Sequence, residues 1–296
     1  MALNKLSYFP NGGLDWYGYV YWPYPADDKP FQMSESGRKE DAFRYCMRKF
    51  DEAQDDEKRL FYACQATTLA YGLKKPHLVA LKLDAYVQSE LKDVRYATYS
   101  QAIDHVSPQI WLAYAFARAA SDDLAGDRDN KYDVWATPNM RESSNLQRWG
   151  HEATRFVEKH TFKKLEHRYV KSSWAWLMHE YGIARKLLDP IAKELDQPGP
   201  YLTLSRYWTF GTTGPGNDSS DKDSMRFLTL VRKRWPTYDR AIFYEGLKLS
   251  GYGDRTTKPQ AQKGTQLLLK YLQISKGPKF EQEAAKRALD RLKPYL

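Results

Sequence analysis

The sequence predicts an all-α protein: an irregular stack of antiparallel helical hairpins behind an aromatic-rich, non-helical N-terminal arm. Three observations predict it. From Arg38 onward, apolar residues recur at three- and four-residue steps, the period of a helix with one apolar face. Short polar turns, such as Asp51 to Glu57, separate successive apolar runs. Small residues stand where paired helices must come close, as Gly264, Ala284, Ala285 and Ala288 do at the C-terminal end.

The arm, residues 1 to 37, has no helical period. Gly18, Pro23 and Pro25 limit any strand in Leu14 to Pro25 to a short edge or hairpin. Its rings either plug a groove between the first helices or form a stacking platform for a peptide, sugar or base. Trp16, Tyr19, Trp22 and Tyr24 are the candidate contacts there, joined further along by Trp174, Tyr207, Trp208 and Tyr244.

Residues 38 to 121 read as the N-terminal hairpins. Phe43, Cys46, Met47 and Phe50 face Leu60, Ala63, Cys64, Thr67 and Tyr71 across a turn near Asp55. That pairing brings Cys46 and Cys64 to one level, as two small buried thiols or as a disulfide. A third helix, Pro76 to Leu91, turns Leu78, Leu81 and Ala85 inward together with Val79 and Tyr86. Residues 92 to 107 show no clear pattern. Pro108 opens a strong, mostly apolar helix, PQIWLAYAFARAASDD, which reads as central.

Residues 122 to 144 read as a charged loop, and 145 to 296 as the C-terminal helical region. Asp127, Asp129 and Asp133 alternate as calcium ligands do, but Lys131 occupies a ligand position and the turn glycine is missing. A long hairpin follows, Asn145 to Tyr169 and then Trp174 to Leu188, stopped before Pro190. The domain boundary falls in the loop before it or within Asp189 to Pro200. Leu202 to Phe210 reads as a short helix, Gly211 to Asp223 as an exposed loop, and Ser224 to Arg234 and Pro236 to Ser250 as two more helices.

The last 36 residues close the chain as the clearest hairpin, with Ala261, Gly264, Leu267, Leu268, Tyr271 and Leu272 on one helix. Phe280, Ala284, Ala285, Ala288, Leu289 and Leu292 lie on the other. Gly277 ends the first helix and Pro278 begins the second. With its "LLLKYL" helix followed by an "EAAKRAL" helix, this hairpin resembles a terminal repeat of the tetratricopeptide and Sel1-like families. The resemblance implies a tetratricopeptide-like α–α superhelix that binds partners and carries no chemistry of its own.

A chain of 296 residues with 42% apolar and 28% charged residues has the composition of a folded soluble protein. No run approaches the roughly 18 apolar residues of a membrane span, and MALNKLSYFPNGG lacks the apolar core of a signal peptide. That leaves the cytoplasm as the default compartment, with export open where a leader has been removed. The net charge of +9 is uneven: residues 1 to 60 hold nine Lys/Arg against eleven Asp/Glu, while 248 to 296 hold eleven against four.

Four of the six histidines fall between 145 and 188. His151-Glu152 and His179-Glu180 each begin like a zinc-peptidase motif, but Arg155 and Ile183 stand where the second imidazole belongs. His160, Glu166 and His167 converge only if the fold brings them together. No metal or cofactor is expected. The function read from these features is a non-catalytic scaffold or adaptor binding a protein or peptide, an acidic one suiting the basic end. One alternative is a helical hydrolase acting on a glycan through paired carboxylates, with Glu152, Glu180 and Glu245 as candidates. The other is nucleic-acid binding through the basic C-terminal helices, which requires their cations on one continuous face.

Overall fold

The structure, a computed structural model, describes residues 29–92, 99–126, 140–196, 198–210, 218–251, 256–275 and 279–296. It is all-α, with fourteen α-helices and no strand among the described residues. Two compact units divide between Ile191 and Ala192, inside the later of the two boundary zones read from the sequence.

The first unit holds α1 (Lys29–Glu35), α2 (Lys39–Glu52), α3 (Asp56–Gly72), α4 (His77–Glu90), α5 (Tyr99–His105), α6 (Pro108–Gly126), α7 (Met140–Lys159), α8 (Leu165–Leu177) and most of α9 (Tyr181–Leu195). Its centre is α6, which packs against α3, α4, α7 and α8. Every residue from Ile110 to Ala117 is buried, because its apolar residues run all round the helix and leave no solvent stripe. Trp111 lies 6.3 Å from the rings of both Trp149 and Phe156 on α7. Gly150 admits that close approach: a Cβ there would stand 2.9 Å from the Arg118 guanidinium.

Local signals set the helix ends. Asp55 caps α3 by accepting the Lys58 N–H at 2.8 Å, with Asp56 and Glu57 on its positive end. Helices α1, α3 and α8 finish in the same left-handed turn, in which two backbone N–H groups reach back to the last carbonyls. Gly37 fills that turn after α1 with φ 82°, but Lys74 (φ 61°) and His179 (φ 60°) fill it after α3 and α8 despite their Cβ atoms.

Several segments differ from the sequence reading. The sequence pattern is non-helical to residue 37, yet Lys29–Glu35 is helical and packs on α2. Tyr99–His105 is helical where no pattern was legible. The loop read at 122 to 144 is shorter, since α6 runs to Gly126 and α7 begins at Met140. The calcium-like Asp127, Asp129 and Asp133 lie outside the described residues. The long hairpin is three helices, broken at His160–Lys164 and again by the turn at His179. Helix α9 runs through Pro190, which is exposed, so water meets the carbonyl that Pro cannot serve, while buried Leu188, Ile191 and Ala192 hold the helix in place.

Helix α4 meets the expectation only in part: Val79 is buried, with Ala80, Leu83, Asp84 and Val87, whereas Ala85 is exposed and Leu78 and Leu81 are 38% and 44% exposed. Both sets have helical spacing; the neighbour decides between them. α6 receives the face that carries Asp84, whose carboxylate accepts Tyr114 Oη at 2.7 Å and Gln88 Nε2 at 2.6 Å. Cys46 and Cys64 are both buried and are not joined in a disulfide, and burial pushes the Cys64 thiol far up.

The second unit holds the end of α9, then α10 (Pro198–Phe210), α11 (Asp218–Arg234), α12 (Asp239–Ser250), α13 (Lys258–Ile274), α14 (Lys279–Leu292) and a closing 3-10 turn (Lys293–Tyr295). Helix α11 starts at Asp218, inside the segment read as loop. Packing follows chain order: α10 on α11, α11 on α12, α12 on α13, α13 on α14, with α14 also touching α12. Two contacts span 41 residues each, Arg291 Nη2 to Ser250 Oγ and Arg240 to Glu281, so α12 and α14 run parallel on one side of α13. Small residues allow this. A Cβ on Gly246 would lie 2.7 Å from Leu268, and one on Gly264 2.9 Å from Leu292 and 3.1 Å from Leu249.

A recurrence emerges that the residue types hide. Helices α11 and α13 each have 17 residues and start 40 positions apart. Four buried positions coincide: Ser224 with Gly264, Phe227 with Leu267, Leu228 with Leu268, Val231 with Tyr271.

Candidate functional site

In the first unit, the start of three helices meets at Glu57. Its carboxylate takes Lys164 Nζ at 2.5 Å and Gln109 Nε2 at 2.9 Å on one oxygen, and His167 Nε2 at 2.9 Å on the other. Partial burial alone pushes this acid upward, but the three donors outweigh it and hold the carboxyl at about 2. His160 and His167 do come together here, on either side of Phe162: His160 lies 4.6 Å from that ring and His167 5.8 Å. Their acidic partner is Glu57, more than a hundred residues upstream, rather than Glu166, which is buried in the first turn of α8. Lys171 donates to the carbonyls of Glu158 and His160 and so caps the end of α7; burial lowers its ammonium from the ordinary value. A carboxylate this strongly held is a clamp between helices and not a proton carrier near neutral pH.

A second chain of polar groups runs through the strained His179. Its Nδ1 meets Tyr181 Oη at 2.6 Å, its Nε2 stands 3.6 Å from Asp123, and Tyr71 Oη donates to that same carboxylate at 2.6 Å. The order of tyrosine, histidine and aspartate has the form of a nucleophile relay. Burial and the Asp123 charge raise the Tyr181 phenol, the opposite of activation. The network braces the corner between α8 and α9, with Glu180 as the second residue of the left-handed turn.

The three candidate glycosidase carboxylates occupy unlike environments. Glu152 is largely buried on α7 and stands 3.5 Å from Arg155. Glu180 is exposed. Glu245 is wholly buried, with Lys263 at 2.7 Å and Arg232 at 3.2 Å, ion pairs that lack hydrogen-bond alignment. Sealed from solvent and neutralised by two cations, Glu245 cannot reach a substrate. A parallel arrangement holds Glu281, which accepts Tyr271 Oη at 2.5 Å and faces Arg240 at 3.3 Å. Among the described residues no group of three or more His, Cys, Asp or Glu is placed to hold a metal ion.

Of the aromatic candidates, Trp174 and Tyr244 are core residues. Tyr207 and Trp208 lie in α10, with side chains outside the described set, and Trp16, Tyr19, Trp22 and Tyr24 lie outside the described residues.

The surface offers more than the interior. Leu269 is 47% and Ile274 51% exposed on the outward side of α13, where Gln262, Gln266, Lys270 and Gln273 are exposed as well. The signal was present in the chain: among Leu267, Leu268, Leu269 and Leu272, Leu269 alone falls off the inward stripe. No helix among the described residues is long and apolar enough to cross a membrane. Comparison of the chain with known protein families, with curated proteins and with solved structures finds no match.

Proposed function

We propose that this chain is a non-catalytic helical-repeat protein, tetratricopeptide-like in its second unit, that binds a protein or peptide partner as a scaffold or adaptor. The observation that carries the reading is the 40-residue recurrence of α11 and α13 with coincident buried positions. Helices repeated in this way leave equivalent outer positions free, and stacked hairpins use such positions for recognition. The interior chemistry agrees: Glu57, Glu245 and Glu281 are each committed to cations that hold helices together.

The test is affinity capture on the immobilised full chain from extract of its native cells, at low and at raised salt, followed by mass spectrometry. One protein retained in stoichiometric yield supports the reading. Bulk nucleic acid that salt removes, or an eluate without a specific protein, overturns it.

A further inference from the structure

We infer that the end of α7 is a pH-operated latch: on mild acidification the His160–Lys164 connector leaves the start of α8, while the clamp on Glu57 keeps α3, α6 and α8 together. The inference is separate from the binding function proposed above and concerns the first unit alone.

The latch is built from rings and one ammonium. The His160 imidazole stacks on Phe156 at 4.7 Å and lies 4.6 Å from the ring of buried Phe162. From α8, Lys171 Nζ donates to the carbonyls of Glu158 and His160 at 3.1 and 2.9 Å, so the ammonium that caps α7 also stands beside this imidazole. His167 faces it across Phe162. A neutral ring fits this place. A charged one is stripped of water between two phenyl rings and is repelled by Lys171 and by a protonated His167.

The other charged groups nearby bring no relief. Glu57 of α3 already takes Lys164, Gln109 and His167. On α7 itself Glu158 and Lys159 are exposed, and α8 carries the cations Lys164, Arg168 and Lys171 beside Glu166, which is buried in its first turn. Residues 108 to 117 of α6 carry no charge, and Arg118 beyond them pairs with Asp122. Helix α4 contributes Lys82, Asp84 and Glu90, held by Asp51, by Tyr114 with Gln88, and by Tyr86.

Burial, Lys171 and His167 hold the His160 imidazole below its ordinary 6.5. The neutral latch therefore contributes in full above pH 6.5 and is lost as pH falls through the folded value. His167 behaves differently. Glu57, held at about 2, only accepts, so His167 Nε2 already donates to it, and a second ring proton turns that bond into a charge-assisted one. Acid thus opens the corner and spares the clamp. Release uncovers the Phe162 ring, which is 5% exposed in the closed corner.

The experiment is hydrogen exchange by mass spectrometry on the full chain at about pH 7.5 and about pH 5, corrected for intrinsic exchange, together with an NMR titration of the His160 imidazole. Amides 157 to 160, in the last turn of α7, should lose protection by at least about fivefold at the lower pH, while the first turns of α3 and α6 and the second turn of α8 keep theirs. The His160→Gln variant, neutral at both values, should show no such loss. The titration needs no variant, and the parent imidazole should titrate below 6.5. An imidazole that titrates at or above that value, an equal acid loss in His160→Gln, or a loss shared by the starts of α3 and α6 overturns the latch.

Discussion

The two units of this chain bury their helices by opposite plans. The first is organised around a centre: α6 is enclosed by α3, α4, α7 and α8, three of which lie one or more helices away in the chain. The second is organised along the chain, each helix packing on the next and α12 and α14 sharing one side of α13. The difference appears in the residues at the contacts. The centred unit fills its core with large rings, Trp111, Tyr114, Phe116 and Trp149, whereas the sequential unit brings backbones together at Gly246, Gly264, Ala284, Ala285 and Ala288. A hub needs volume on every side, and a stack of hairpins needs only one close seam per neighbour.

The largest effect that separates the plans is at Trp111. Trp111→Ala should cost about 3–5 kcal/mol by denaturant unfolding. Hydrogen exchange should show α3, α4, α7 and α8 losing protection together; loss confined to α6 and one neighbour would break the hub description. Next comes Gly264→Ala, whose methyl must displace Leu292 and Leu249 at about 1–3 kcal/mol. Its exchange changes should stay within α12, α13 and α14.

A smaller loss, about 1–2 kcal/mol, is expected for Tyr114→Phe, which removes a donor from the buried Asp84. Two acids of the first unit then give opposite pH signatures. Glu57 is held at about 2, below the ordinary 4.5, so its stabilisation is full above pH 4.5 and is lost as pH falls toward 2. Burial raises Asp84 above 3.8 against its Tyr114 and Gln88 hydrogen bonds, so its protonated form favours the fold at low pH, and that contribution is lost as pH rises through the folded value. Glu57→Gln should flatten the acid limb of stability between about pH 4.5 and 2. An unchanged slope would show that Lys164, Gln109 and His167 do not hold this carboxylate in solution.

The smallest effects test the strained turns. Lys74→Gly should gain about 0.5–1 kcal/mol, because Gly adopts φ 61° without a Cβ penalty. His179→Gly relieves the same strain but loses the contacts with Tyr181 and Asp123, so its midpoint shift should fall below that of Lys74→Gly. Equal gains would reduce the His179 network to a passive contact.

How far the chain could be read depends on how local each cause is. The α2–α3 turn at Asp55, the apolar breadth of α6 and the small residues of the last hairpin are local, and all were legible. The buried face of α4 was legible only at Val79, since Leu78, Leu81 and Ala85 share the helical period of Leu83 and Val87. Nor was Glu57 recognisable as the partner of Lys164 and His167, 107 and 110 residues away. His179 sits within a helical pattern yet ends a helix, because a left-handed turn without glycine has no sequence signature.

By itself the sequence determined the all-α class, most helices, and the basic character of the C-terminal end, because period and charge are properties of neighbours in the chain. The tertiary structure alone decided which apolar residues α4 buries, which acids are clamped by distant cations, and that α11 and α13 bury four matching positions. Those depend on what stands opposite each side chain. Two helices with only a few residues in common can bury the same positions, since packing selects size and place more than identity.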